Sequence, residues 1–272
     1  MSDSQPSRVF NFKGDDPEML RAYENARQTF RYFWREVAWE RRRIIPALDL
    51  ACVKAPFSDD TSGTSITEDP TVEHMWISEI DFDGTTITGT LLNAPNNLTS
   101  ISEGDFVSIP LEDISDWMYV IGGEVFGAHT VNLMRARMGH QERQSHDGAW
   151  GLNFGDPSKI RLIPEPKKQG GILQSWFGKA ATPDLTVEHP MSINMAESLK
   201  EQLAKDPSLL NSADENGWTL LHQEALAGSA PTVKVLLDAG ANRNAKTNLG
   251  MTPLQLAQSL RWDAVVTFLS AR

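Results

Sequence analysis

Two residues in this sequence have the chemistry of a general-base pair, His74 and Asp116. An imidazole held by a carboxylate abstracts protons near neutral pH, provided the strands carrying the two bring them together. No serine or cysteine sits in an elbow-like turn, so a nucleophile would have to be Cys52 or a loop serine. The commoner arrangement is a buried histidine bonded to a carboxylate for structure, and that is the reading adopted for the pair. Cys52 lies in a strand-like run, where a free thiol packs as a small hydrophobe. His140, His146 and Asp147 carry metal-ligating atoms, but the intervening Gln-Glu-Arg-Gln-Ser matches no ligand spacing, and no metal or other cofactor is expected. Gly122-Gly123 and Gly170-Gly171 read as turns, because neither joins a strand to a helix in a phosphate-binding fingerprint.

The whole chain narrows the options further. Its 272 residues suggest two domains, and 40% hydrophobic with 22% charged residues describe an ordinary globular protein. The formal net charge of −11 argues against nucleic acid and anionic membranes, which are bound by neutralising phosphates. It suits a protein partner with a basic face. The basic run Arg41-Arg42-Arg43 fits the end of a helix, where cations meet the negative end of the dipole. One cysteine excludes a disulfide framework and a Cys-rich zinc site. Without an apolar leader or a run of ~18 apolar residues, the expected compartment is the cytoplasm.

The elements that must position these residues follow from periodicity. Asp16-Pro17 opens a helix, with Asp as cap and Pro at the first position. Met19, Tyr23, Ala26, Phe30, Phe33 and Val37 then recur in steps of three and four, forming one apolar face that Trp34 widens. Arg21, Glu24, Gln28, Arg31 and Arg35 fall on the opposite face. The helix must stop before Pro46. Strand-like runs follow at residues 48–53, 72–80, 85–92 and 105–109, with Asp83-Gly84 as a hairpin turn and residues 59–70 as an exposed loop. Residues 111–119 lead into the Gly122-Gly123 turn, and residues 131–138 read as a second helix. This is an α+β domain, an antiparallel sheet with a long N-terminal helix, over residues 16–163, after a flexible stretch at 1–15. Residues 164–190, broken by Pro and Gly, read as a linker whose apolar Ile172-Leu173-Gln174-Ser175-Trp176-Phe177 docks on one of the domains.

The remainder is a repeat. Gly217-Trp218-Thr219-Leu220-Leu221-His222 aligns with Gly250-Met251-Thr252-Pro253-Leu254-Gln255 at a period of 33 residues. Val233, Leu236 and Leu237 recur at that offset as Val266, Leu269 and Ser270. Asp238-Ala239-Gly240-Ala241-Asn242 closes the unit, and Leu199 and Leu203 fill second-helix positions of an incomplete first unit. Residues 191–272 thus resemble a small all-α ankyrin-repeat module of about two and a half units. The resemblance implies that Thr219 and Thr252 cap first helices, that Gly240 ends a second helix, and that His222 braces neighbouring turns. Leu220, Glu224 and the Arg261-Trp262 pair depart from the usual proline, alanine and Gly-His. They weaken the pattern and place Trp262 at the surface. With fewer than the ~3 units that usually stand alone, the array must pack on its own N-terminal domain, on the linker, or on a second chain.

The N-terminal part also has a relative. Glu73-His74-Met75-Trp76-Ile77, Gly104-Asp105-Phe106-Val107 and Asp116-Trp117-Met118-Tyr119 resemble the YegJ-like family of bacterial proteins, domain of unknown function 2314, over roughly residues 16–162. That implies a bacterial origin and a compact α+β fold, and it implies no reaction. The two resemblances together point to a non-enzymatic bacterial protein–protein interaction protein. The concrete version is an immunity or antitoxin-type protein that binds and blocks a toxic effector. Ankyrin arrays commonly bind through their projecting turns, here Asn216, Trp218, Lys246, Asn248 and Met251, with Arg243 and Trp262 nearby. The alternatives are an enzyme with a pocket around His74, Trp76, Asp116 and Trp117 whose repeats recruit substrate, or a scaffold unconnected with toxins. The oligomeric state stays open.

Overall fold

The computed structural model describes residues 16–59, 72–165 and 185–271. The N-terminal stretch read as flexible, most of the stretch read as the 59–70 loop and the apolar segment at 172–177 lie outside these residues. Helix α1 spans Pro17–Glu40 and is capped as the sequence suggests: Asp16 Oδ1 accepts the Glu18 amide at 2.9 Å. Six antiparallel strands follow, β1 Leu50–Ser58, β2 Val72–Phe82, β3 Thr86–Leu91, β4 Phe106–Pro110, β5 Asp116–Ile121 and β6 Glu124–Gly127. At the β2–β3 hairpin, Asp83 Oδ1 takes the amides of Thr85 and Thr86, while Gly84 turns the chain at φ 102°.

The order in the sheet is β4-β3-β2-β1-β5-β6. The first four strands meander as the sequence implies. The stretch 111–119 does not extend that meander. It breaks into a 3₁₀ turn at Leu111–Asp113 and then crosses back, so that β5 pairs with β1. Strand β5 is buried from Asp116 to Val120. One face of the sheet, with Val53, Ala55, Met75, Ile77 and Trp117, shares a core with α1. On the other, Cys52, Met118 and Val120 pack with Val131 and Phe154. Val131 belongs to helix α2, His129–Arg137, which is followed by α3, His140–Trp150.

The C-terminal helices are α4 Pro190–Lys205, α5 Leu220–Ala227, α6 Ala230–Asp238, α7 Pro253–Ser259 and α8 Asp263–Ser270. Their core is the repeat core read from the sequence, with Leu199, Leu203, Val233, Leu236 and Leu269 buried. The array does not stand apart. Leu226, Ala227, Leu256 and Leu260 belong to the same buried cluster as Phe30, Trp34 and Phe82 of the α+β domain. Helix α1 is therefore covered on two sides, which corrects the amphipathic reading of its second half. Arg35 is 5% exposed and Glu36 2%, and every residue from Tyr32 to Trp39 is buried.

Candidate functional site

The β1–β5 register sets Asp116 opposite Lys54, and the β1–β2 register sets His74 opposite Pro56. Asp116 is fully buried and its carboxylate is spent on backbone. Oδ1 accepts the amides of Trp117 and His129 at 2.9 and 2.8 Å, and Oδ2 accepts the Thr130 amide at 2.8 Å and its hydroxyl at 2.5 Å. The residue at the start of α2, Ala128, has left-handed backbone (φ 57°, ψ 48°) and no side chain able to cap. Asp116 thus caps α2 from a neighbouring strand, with its charge at the positive end of the helix.

His74 turns elsewhere. Its Nδ1 lies 2.9 Å from Ser115 Oγ, and its Nε2 lies 3.5 Å from the Tyr23 hydroxyl, whose ring stacks on the imidazole at 5.3 Å. Ser115 donates its only hydroxyl proton to the Lys54 carbonyl at 3.1 Å. The bond with His74 therefore requires a proton on Nδ1, which leaves Nε2 to accept from Tyr23. Burial, with the Lys54 charge adding to it, pushes the His74 pKa down to about 4. No hydrogen bond joins His74 and Asp116, and each is held by other partners. Trp76 and Trp117 do not frame a common pocket either, since they pack into the cores on opposite faces of the sheet. One cleft of about 520 Å³ opens beside Gly123 and Asn153, and another of about 430 Å³ between Arg27 and Arg261. Neither is lined by His74 or Asp116.

The depressed His74 pKa has a consequence for stability. Unfolded, the imidazole takes its proton near pH 6.5, and folded only near pH 4. Between those values the unfolded state binds more protons, so stability present above pH ~6.5 is lost as pH falls toward 4. The expected contribution of His74 is about 2 kcal/mol, discounted for its partial exposure. Urea titrations near pH 7 and near pH 4.5 check it: His74→Gln should lose about 2 kcal/mol less than the unaltered protein across that interval. Equal losses would contradict the assignment.

The other chemically able residues are likewise committed. Cys52 is fully buried, and burial pushes its thiol well above the ordinary cysteine range. Asp147 receives the Arg135 guanidinium through two bonds of 2.8 and 2.6 Å, with His146 at 3.0 Å on the same carboxylate. No group of three metal-ligating side chains forms among the described residues. His222 accepts the Thr219 amide on Nδ1 at 3.1 Å and donates from Nε2 to the Ala245 carbonyl at 3.1 Å. It braces one repeat turn against the next, as the ankyrin pattern implies.

The seven residues read as a partner surface divide into two groups. Asn216, Lys246 and Asn248 are exposed, and the Asn248 side chain ties neighbouring tips by donating to the Glu215 carbonyl at 2.9 Å. Trp218, Met251 and Trp262 are half-buried against the α+β core. Arg243, also half-buried, donates to the Ala271 carbonyl. Trp262 is not the surface residue its departure from the pattern suggests. Its Nε1 donates to the Leu226 carbonyl at 3.0 Å, and its ring meets Tyr32 edge-on at 6.2 Å. It also covers Gly228 so closely that a Cβ there would stand 2.3 Å from the indole. Leu249, 68% exposed at the second tip, was missed in the sequence. It stands one period after Asn216, an apolar side chain where the repeat has no core to fill.

Residues 16–154 match the model of a family described as an uncharacterized protein conserved in bacteria (DUF2314), which is half of the chain. The chain belongs to the DUF2314 family. Residues 190–272 match the model for ankyrin repeats. An ankyrin repeat protein of Neisseria meningitidis serogroup B is 42% identical over 266 residues, 98% of each chain. The uncharacterized protein YegJ of Escherichia coli K12 is 32% identical over 84 residues, 31% of this chain and 49% of its own. A transient receptor potential cation channel subfamily A member 1 homolog of Caenorhabditis elegans is 43% identical over 60 residues, 22% of this chain and 5% of its own.

The array gives this DUF2314 protein a protein-binding role. Among the described residues no helix is long and apolar enough to cross a membrane. Of the departures from the ankyrin pattern, Glu224, Arg261 and Trp262 stand at the seam with the DUF2314 domain, while Leu220 packs in the repeat core. Glu224, where a small residue is usual, is buried and binds Arg42 at 2.5 Å and the Thr232 hydroxyl at 2.6 Å. Arg261 offers its carbonyl to Arg31 Nη1 at 2.9 Å. Arg42 therefore does more than close a helix dipole. It ties the two domains together.

Proposed function

We propose that this chain is a non-enzymatic binding protein whose ankyrin tips engage a protein partner, with the DUF2314 domain as the rigid body that holds them. The carrying observation is the division of the repeat surface. The apolar side chains Trp218, Met251 and Trp262 are turned into the chain's own core, while Asn216, Lys246, Asn248 and Leu249 are left exposed in successive turns. Tips fixed on a folded body lose little freedom on binding. The committed bonds of His74 and Asp116 and the burial of Cys52 favour a binding role over a reaction. In finer terms the partner is a toxic effector with a basic face, blocked by this acidic chain. The net charge of −11 favours such a partner and fast association at low salt.

The test begins with the protein cross-linked to this chain in its native host, purified and titrated against the intact chain. Leu249→Asp and Lys246→Glu are each expected to weaken binding by about tenfold or more with the melting temperature unchanged. Unaltered affinity in both would remove the tips from the interface. Rescue of growth by this chain when the partner is expressed in a susceptible host supports the blocking role, and a partner harmless on its own rejects it.

A further inference from the structure

We infer that the cleft between the two domains is a binding site for a small polyanion, a ligand carrying phosphate or carboxylate groups. The cleft, about 430 Å³, is lined by α1 through Glu24, Arg27 and Arg31, by Glu112 of the 3₁₀ turn, and by Arg261 at the end of α7. That volume suits a small metabolite. Three guanidiniums share it, and none forms an ion pair among the described residues. Arg27 donates to the Ile114 carbonyl at 3.2 Å, and Arg31 to the Arg261 carbonyl and the Tyr32 hydroxyl, both at 2.9 Å. These neutral acceptors direct the Arg27 and Arg31 guanidiniums without a carboxylate, and the Arg31 guanidinium also lies over the Tyr32 and Trp262 rings at 4.9 and 5.7 Å. Arg41, Arg42, Arg43, Arg135, Arg137 and Arg161 each meet a carboxylate; of the described arginines without an ion pair, three gather in this one cleft. Glu24 and Glu112 line the same cleft but form no ion pair with Arg27, Arg31 or Arg261 among the described residues, and three guanidiniums against two carboxylates mark a place suited to an external anion. Arginine's planar fork matches phosphate and carboxylate oxygens in pairs.

A second observation comes from the backbone. Arg261 has φ 55°, in the left-handed region that a Cβ disfavours. One repeat earlier the same position is Gly228, with φ 72°. The turn demands this conformation in both units, and only the first uses the residue that adopts it without strain. In the second an exposed guanidinium stands at the mouth of the cleft instead. Strain tolerated at a ligand clamp is a recurrent pattern. Glu24 and Glu112 suit hydroxyl or amino groups on the same ligand. A ligand held from α1 and from α7 would also stiffen the seam between the domains.

The experiment is calorimetric titration of the full chain with pyrophosphate and, separately, citrate, at constant ionic strength set with sodium chloride. One saturable site is expected for at least one probe, with a rise in melting temperature as the site fills. Binding of pyrophosphate alone assigns a phosphate ligand, and binding of citrate alone a carboxylate one. Arg261→Gly removes the guanidinium and relieves the strain. It should weaken the probe about tenfold or more while the ligand-free protein melts at the same temperature or higher. Should the glycine variant prove unstable, Arg261→Asn keeps a residue that tolerates left-handed backbone and should show the same loss. No saturable binding of either probe up to roughly 10 mM, or unaltered affinity in the folded Arg261 variants, overturns the proposal. Leu249→Asp leaves this site intact, so loss of partner binding and loss of anion binding are read separately.

Discussion

Replacing Asp116 with alanine is expected to lower the stability of the folded chain by about 3–5 kcal/mol, a large part of the total margin of a typical domain. The cost comes from what is left behind. With Asp116 gone, the amides of His129 and Thr130 and the Thr130 hydroxyl lose their acceptor at a fully buried position. The local sequence offers no substitute, because the N-cap position is occupied by Ala128 in left-handed backbone. Each buried donor left without a partner costs about 1–3 kcal/mol, and the positive end of α2 loses the carboxylate that offsets it. Asp116→Asn should fall between, since the amide keeps one accepting oxygen but points its own donors toward Thr130. Urea unfolding followed by circular dichroism measures both. A loss below about 1 kcal/mol for Asp116→Ala would mean that α2 finds another cap.

What the sequence disclosed and what it concealed divide along local and distant interactions. The cap of α1 and the Asp83-Gly84 hairpin are fixed by residues within a few positions of one another, the bracing by His222 follows the repeat period, and each stands where its pattern places it. The return of β5 to the side of β1 pairs segments some sixty residues apart, and no periodicity records such a pairing. For the same reason His74 and Asp116 look like a dyad in a list of residue types. Only the register shows that Ser115 stands next to the imidazole and that the carboxylate belongs to α2. The second half of α1 carried a readable signal that the single-stripe interpretation discarded. Tyr32 and Trp39 lie off the stripe, and a helix with large aromatics around its circumference is covered on more than one side. The same holds for the repeats. Glu224, Arg261 and Trp262 read as decay of the ankyrin pattern when the array is considered alone. Set against α1, they face Arg42, Arg31 and Tyr32.

Residues 191–272 expressed alone are expected to give no cooperative unfolding transition. In the intact chain Leu226, Leu256 and Leu260 are 2%, 0% and 4% exposed, within a core completed by residues of α1 and β2. Removing that cover returns apolar surface to water at on the order of 2 kcal/mol for each leucine, with more from Trp262. It also strands the Glu224 carboxylate without Arg42. The sum rivals the whole stability of a typical domain, and an array of so few units has no inner repeats to offset it. Thermal and urea melts of the fragment, followed by far-ultraviolet circular dichroism, decide the point; a sharp sigmoidal transition would show that the array stands by itself. The intact chain provides a milder version of the same experiment. Glu224→Ala restores the residue size usual in ankyrin repeats, a kind of change that commonly stabilises. Here it should cost about 2 kcal/mol, because Arg42, with its side chain 21% exposed and lying over Trp39 at 4.7 Å, loses its carboxylate partner. Arg42→Gln in the Glu224→Ala background should add less than Arg42→Gln alone, since the two side chains act through one bond. Independent, additive losses would show that Glu224 supports the array from within and that the seam is held by its apolar contacts.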